Sequence, residues 1–155
     1  MTPREIEALL KERFGDRIPE SRLDGLCSWS LVDPAAILEV ARFVHDDEKL
    51  KMDHLELLGG VDYKDRIEVV YVVNSLTYHH RYTLKCRLPR DNPRIRTVES
   101  VWKVANWHER EAYDMFGIIF EGHSDLRRIL CPDDWEGYPL RKDYTFPGKY
   151  HDMPV

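Results

Sequence analysis

The chain has 155 residues, 33% of them charged and 43% hydrophobic, with a formal net charge of -5. That length suits one domain with a modest core and not two independent ones, and the acidic balance gives no general attraction to nucleic acid or to an anionic membrane. No apolar run approaches the roughly 20 residues that span a bilayer, and Met1 to Phe14 is amphipathic and charged where a signal peptide would be apolar, so the cytosol is the expected compartment.

Thr2-Pro3-Arg4-Glu5 supplies a cap, a proline at the first helical position and a capping-box glutamate; with Ile6, Leu9, Leu10 and Phe14 on one face it predicts a first helix. Leu26 to Val32 is rich in Trp and aliphatics and reads as a strand. Asp33-Pro34 then opens a second helix whose stripe is Ile37, Val40, Ala41 and Val44. Leu55 to Val61, broken by Gly59-Gly60, leads through Asp62 to Asp65 into Ile67 to Val73, a β-branched run apolar on both faces and therefore central in a sheet. Tyr82, Leu84, Cys86 and Leu88 alternate with Arg81, Thr83, Lys85 and Arg87, as in a half-buried strand with one basic face. Pro89 to Pro93 ends this meander. After Trp102 a third helix of about three turns follows, with Asn106 as its cap, Glu109 completing a capping box and Gly117 ending it. The sum is an α+β domain over 1–120: N-terminal helices on a small mixed or antiparallel sheet, then a short helix and an extended irregular tail over 121–155.

The third helix carries Glu109, Glu111 and Asp114, with His108 and His123 nearby, yet the spacing matches neither the His-Glu-x-x-His of zinc proteases nor the Glu-x-x-His of di-iron bundles. Arg110 and Asp114, four apart, are expected to pair along the helix. Arg81, Lys85, Arg87, Arg90, Arg94, Arg96 and Lys103 form a basic run near Tyr78 and Tyr82, which in an acidic chain without a recognition motif suggests docking on an acidic protein more than on nucleic acid. No Gly-x-Gly-x-x-Gly or Gly-Lys-Ser/Thr occurs, so a nucleotide site is not expected. Cys27, Cys86 and Cys131 contain no Cys-x-x-Cys pair, which argues against a disulfide framework or zinc finger. Cys86 falls on the apolar face of its strand, and nothing marks Cys131 as activated.

The tail holds Pro132, Pro139, Pro147 and Pro154 and has no regular periodicity, which excludes long regular elements. Burying Trp135, Tyr138, Tyr144, Phe146 and Tyr150 falls short of the entropy of ordering so many residues. Hydrogen bonds and ion pairs through Arg127, Arg128, Asp133, Asp134, Arg141, Lys142 and Asp143 must add to it, or the tail stays loose when isolated. Disordered segments are poor in aromatics, so wrapping a partner with Arg and aromatic anchors fits this composition better.

Three stretches, Trp107 to Ile118 (Trp-His-Glu-Arg-Glu-Ala-Tyr-Asp-Met-Phe-Gly-Ile), Gly122 to Leu130 and Asp134 to Tyr144 (Asp-Trp-Glu-Gly-Tyr-Pro-Leu-Arg-Lys-Asp-Tyr), closely resemble the family of the roughly 30 kDa subunit of respiratory complex I. The resemblance extends more weakly through Val61 to Tyr63, Ile67 to Leu76 and Leu88 to Asp91, while the first part of the chain matches in pattern only. Ser124 and Tyr138 stand where proline and histidine are expected, and Thr145 follows Tyr144 where proline is common. The resemblance implies a non-catalytic peripheral-arm subunit of a proton-translocating NADH:quinone oxidoreductase that itself binds no cofactor or metal. The complex as a whole would carry FMN, iron-sulfur clusters, NADH and quinone. The implied partners are the large 49 kDa-type quinone-site subunit and neighbouring iron-sulfur subunits, with membrane contact only through the complex at its cytoplasmic face. The implied interface comprises Glu109, Arg110, Glu111, Asp114, His123, Arg127, Arg128, Trp135, Arg141, Lys142, Asp143 and Tyr144. Related complexes take electrons from ferredoxin, deazaflavin cofactors or hydrogenase modules, and a free-standing binding module is a further alternative.

Overall fold

The structure, a computed structural model, describes residues 1–24 and 27–154. At its start the Thr2 hydroxyl accepts from the Glu5 amide at 3.4 Å while the Glu5 carboxylate accepts from the Thr2 amide at 2.7 Å. This capping box begins α1 (Pro3–Phe14), which buries Ile6 and Leu10. Two short antiparallel strands follow, β1 (Glu20–Arg22) and β2 (Trp29–Leu31). The expected start of the second strand, Leu26, lies outside the described residues. Asp33 accepts from the Ala35 amide and caps a single 3-10 turn that runs into α2 (Ile37–Asp46), whose expected stripe of Ile37, Val40, Ala41 and Val44 is buried.

The meander is β3 (His54–Asp62), β4 (Arg66–Asn74) and β5 (Arg81–Pro89), antiparallel throughout, with β2 added parallel to β5. The five-stranded order is β1-β2-β5-β4-β3, so β4 is interior and β3 is an edge. Contrary to expectation, Gly59-Gly60 do not break β3. The strand runs through them in register with Val70 and Val69, and its irregularity is a bulge between Leu55 and Leu57.

Three further elements complete the body. β6 (Arg94–Arg96) pairs in parallel with β7 (Ile119–Glu121), and between them lies α3 (Ala105–Phe116). Strands of three residues leave no alternation to read, so nothing local in the sequence predicts this pairing. β7 crosses the expected domain boundary at 120/121, so the irregular segment leaves the body at Gly122. It contains one small hairpin, β8 (Lys149–Tyr150) with β9 (Met153–Pro154).

Register shows how the layers sit. Tyr71, Val73, Val69 and Ile67 of β4 lie opposite Leu84, Tyr82, Cys86 and Leu88 of β5, and all eight are buried. They share one core with Ile6 and Leu10 of α1, the α2 stripe, and Ala105 and Ala112 of α3. All three helices therefore cover one face of the sheet. The other face carries Leu57, Val70, Val72, Lys85 and Arg87, each at least partly exposed. Charges there are paired, with Glu68 accepting from Arg66 and Arg87 at 3.1 Å each.

A Cβ at Gly60 would fall 2.7 Å from Phe116 Cδ2 and 3.0 Å from Ile118 Cδ1, so glycine lets α3 seat on β3. At Gly59 the nearest atom would be Leu57 Cδ2 at 3.9 Å, an ordinary contact. Gly60→Val is expected to cost about 2–3 kcal/mol through overpacking and Gly59→Ala less than about 1 kcal/mol. Urea denaturation of the two variants checks the contrast; equal losses would mean that α3 is not held by Gly60.

Candidate partner-binding site

α3 turns two carboxylates inward, and each organises a segment that follows it. Asp114, with no exposed surface, accepts from the backbone amides of Ile129, Leu130 and Cys131 at 3.0, 2.7 and 2.9 Å through Oδ2. Its Oδ1 accepts from Arg128 Nη1 at 2.7 Å. Burial alone would raise the Asp114 pKa; the three amides and the guanidinium outweigh it and hold the carboxyl below its ordinary value. The helix residue on which the tail turns is thus an acid whose charge is satisfied inside the chain.

Glu109 is also fully buried. Oε1 accepts from the Val98 amide at 2.8 Å and Oε2 from the Thr97 hydroxyl at 2.5 Å, tying α3 to the end of β6. Desolvation pushes its pKa up to about 7 against these two donors, and neighbouring Glu99 adds to the rise. The expected capping box is absent: Val104 occupies the cap position and makes no side-chain cap. Asn106 Nδ2 instead donates to Glu99 at 2.8 Å, and Glu99 also accepts the Ser124 amide at 2.8 Å. His123, its side chain buried, accepts the Asp125 amide at Nδ1, which leaves Nε2–H to donate to the Asn106 carbonyl at 3.1 Å.

Arg128 continues the chain of contacts by donating through Nη2 to the carbonyls of Trp135 and Gly137 at 2.9 and 3.0 Å. Its guanidinium lies 5.4 Å from the Tyr138 ring and that of Arg141 lies 5.0 Å from it, so the ring sits among two cations. Arg141 Nε donates to the last-turn carbonyl of Phe116 at 2.7 Å, and Tyr138 packs where a Cβ on Gly117 would stand, 2.4 Å from its ring. Gly117 has φ 72°, so it ends the helix as expected and also admits the tail. At the far end of β3, buried Asp62 accepts from Arg90 and from the Lys142 and Lys64 amides, while Arg90 also donates to Asp143 at 2.7 Å. Burial opposes but these donors prevail, and the Asp62 pKa falls to about 2. Trp135 donates from Nε1 to the Tyr144 hydroxyl at 2.9 Å, and Asp134 accepts from Tyr150 and His151.

These contacts revise which residues can touch a partner. Glu109, Asp114, His123 and Arg128 are expected at the interface, and the structure commits their side chains to contacts within the chain: those of Glu109, Asp114 and His123 are buried, and that of Arg128, 12% exposed, is held by Asp114 and two tail carbonyls. Arg110 is 5% exposed, stacks 4.8 Å from Trp107 and donates to the Arg127 carbonyl, so it does not pair with Asp114 as its spacing suggested. Arg141, Trp135 and Tyr144 are half-buried; Glu111, Arg127, Lys142 and Asp143 are exposed. The basic run is largely neutralised within the chain: Arg81 by Glu56, Arg87 by Glu20 and Glu68, Arg90 by Asp62, Arg94 by Glu121. Outward-facing apolar groups surround the folded tail instead, with Trp107, Leu130, Leu140 and Phe146 each more than half exposed. Thr97, Glu99, Asp62 and Arg90 were not singled out as organising residues, since their partners lie far along the chain. Among the described residues no group of three or more His, Cys, Asp or Glu could hold a metal ion, and burial raises the pKa of the Cys86 and Cys131 thiols.

Asp114→Asn leaves Arg128 and three amides competing for a neutral acceptor and should destabilise the chain by about 3 kcal/mol. Limited trypsinolysis is expected to cut first at Arg127 and Arg128, with helical circular dichroism retained until then. Glu109 binds a proton in the folded chain that the unfolded chain releases between its ordinary carboxylate value and about pH 7. Its contribution is present at the acid end of this window and is lost as pH rises through it, by about 3 kcal/mol. In Glu109→Gln the decline in stability over that range should flatten; an unchanged slope would place its source elsewhere.

Residues 30–150 match the family described as respiratory-chain NADH dehydrogenase, 30 Kd subunit. The chain is 47% identical over 150 residues to a subunit of the NADH-quinone oxidoreductase of Chloroherpeton thalassium, covering 95% of this chain and 62% of that protein. It is 44% identical over 153 residues to the like-named protein from Chlorobium phaeobacteroides, covering 95% and 91%. The chain therefore spans less than two thirds of the first relative and most of the second. Among solved structures it is similar to the trypsin-resistant fragment (1-134) of Nqo5, with TM-score 0.65 and 30% identity over 78% of this chain and 98% of that one. It is also similar to a chain of the membrane-bound sulfane sulfur reductase, an archaeal respiratory membrane complex, with TM-score 0.74 and 25% identity over 94% and 86%. With the buried motif residues of α3 and the tail inside the matched segment, the chain belongs to the 30 kDa subunit family of the respiratory-chain NADH dehydrogenase.

Proposed function

We propose that this chain is a non-catalytic assembly subunit of the peripheral arm of a proton-translocating NADH:quinone oxidoreductase, docked on the large 49 kDa-type quinone-site subunit beside iron-sulfur subunits. The observation that carries this reading is the tail, whose buried ion pairs are spent on its own shape while Trp107, Leu130, Leu140 and Phe146 face outward. A surface built at that cost and left apolar suits a permanent neighbour. FMN, iron-sulfur clusters, NADH and quinone belong in this reading to other subunits, and the chain meets the membrane through the complex on its cytoplasmic face. The body through β7 and the tail beyond it then divide the work, one as a scaffold and the other as the contact segment.

The similarity to a chain of the sulfane sulfur reductase over 94% of this chain favours a second reading, the equivalent subunit of a complex with another electron donor. Both readings place the chain away from the donor.

Affinity capture of the tagged chain in mild detergent, with mass spectrometry and a quinone-reductase assay, tests the proposal. Recovery of the quinone-site subunit with iron-sulfur subunits supports it, and the input proteins recovered name the donor; a lone chain without redox activity overturns it. Arg127→Glu, whose side chain is 67% exposed, is expected to keep the fold and reduce partner recovery about tenfold. Arg141→Glu removes the donor to the Phe116 carbonyl and should instead loosen the tail in the isolated chain.

A further inference from the structure

The geometry points to the outer edge of β3 as the acceptor for one extended segment of a partner polypeptide, apolar toward α3 and basic at its flanks, which adds a sixth strand to the sheet beneath the overhang of α3. Of the strands in the five-stranded sheet, β3 alone packs extensively on α3. A helix is about 10–12 Å across, whereas strands lie about 4.8 Å apart, so a helix centred near an edge strand projects past it by roughly one strand's width. A groove of about 340 Å³ lies there, lined by Met115 and Phe116 of α3, Leu140 and the β3 edge, with Glu56, His108 and Glu111 as its ionisable residues.

β3 itself is left open. No main-chain hydrogen bond other than those to β4 reaches residues 55–61 among the described residues. Natural edges are usually blunted by lysine, proline or a bulge. Here the bulge lies at Leu55/Leu57, and beyond it Leu57 to Val61 contains neither lysine nor proline and keeps regular register with β4. On the α3 side Leu140, 54% exposed, forms the apolar wall with Met115 and Phe116, while Leu57, 46% exposed, offers an apolar neighbour on the opposite face of the strand.

Charge selects the occupant. Glu111 is exposed and has no ion-pair partner among the described residues, and Glu56 meets Arg81 only at the surface, with both side chains at least 40% exposed. A segment with Lys or Arg at its flanks satisfies both acids. A second copy of this chain would bring the same acids together, and antiparallel edge pairing would place two overhanging helices over one face. Main-chain pairing supplies affinity in such strand addition, and the alternating side chains supply selectivity. That the segment comes from another member of the complex rests on the function proposed above.

Hydrogen-deuterium exchange of the full chain, free and in the affinity-purified assembly, reads this edge directly. The outward amides within 57–61 should exchange rapidly in the free chain and slow by about 100-fold or more in the assembly. Leu57→Lys should keep the free fold by circular dichroism and lower partner recovery about tenfold. Unchanged exchange at 57–61 in an intact assembly overturns the inference and leaves the proposed function standing. Protection that grows with the concentration of the free chain also overturns it, assigning the edge to a second copy. If no assembly is recovered, the proposed function fails, and a capped Lys-Val-Lys-Val-Lys-Val-Lys-Val peptide becomes the probe: protection of 57–61 that Leu57→Lys abolishes keeps the edge as an acceptor, and no protection removes it.

Discussion

One carboxylate, that of Asp114, sets the course of the tail as it leaves the body of the fold. Three consecutive backbone amides converge on Oδ2 while Arg128 holds Oδ1, so the chain at residues 129–131 has a single direction in which its donors are satisfied. Arg128 then reaches onward to the carbonyls of Trp135 and Gly137, and the turn they form presents Tyr138 to Gly117. An irregular segment has no ladder of its own to consume main-chain groups. Here a buried ion pair takes that part, and because its remaining hydrogen-bonding capacity is used as well, the desolvation of both charges is offset.

The same logic recurs at two other points. Glu109 joins α3 to β6 through Thr97 and Val98, and Asp62 joins the end of β3 to Arg90 and the Lys142 amide. The two acids differ in what burial does to them. Asp62 has a guanidinium beside it and stays ionised down to about pH 2, whereas Glu109 has only neutral donors and a second carboxylate nearby, and its pKa rises to about 7. Three acids thus pin the tail and its base to the body at separate places. The outward surface is left to apolar and exposed charged groups, the composition expected of a face that another protein covers.

Gly60 and Gly59 stand side by side in β3 and face opposite sides of the sheet. The first makes room for Phe116 and Ile118, so α3 can lie on the sheet near its edge. That off-centre seat leaves an overhang and an apolar groove beside the edge that β3 presents as the last strand of the sheet. A helix placed centrally over β4 and β5 would have left neither overhang nor groove at that edge.

Local chemistry was legible in the sequence. The α1 capping box, the stripe of α2, the alternation of β5, the interior position of β4 and the glycine stop of α3 all depend on residues within a few positions of one another. The long motif from Trp107 to Tyr144 also identified the family. What tertiary structure alone decided was the direction of the polar side chains on α3. Asn106, Glu109, Arg110 and Asp114 carry the local signatures of a cap, a capping box and a helical ion pair, yet their partners are Glu99, Thr97, the Arg127 carbonyl and Arg128. A short-range pair on an exposed helix is worth only a few tenths of a kcal/mol. A buried donor or acceptor left unmatched costs several times that, so long-range partners took these side chains once the tail folded over them.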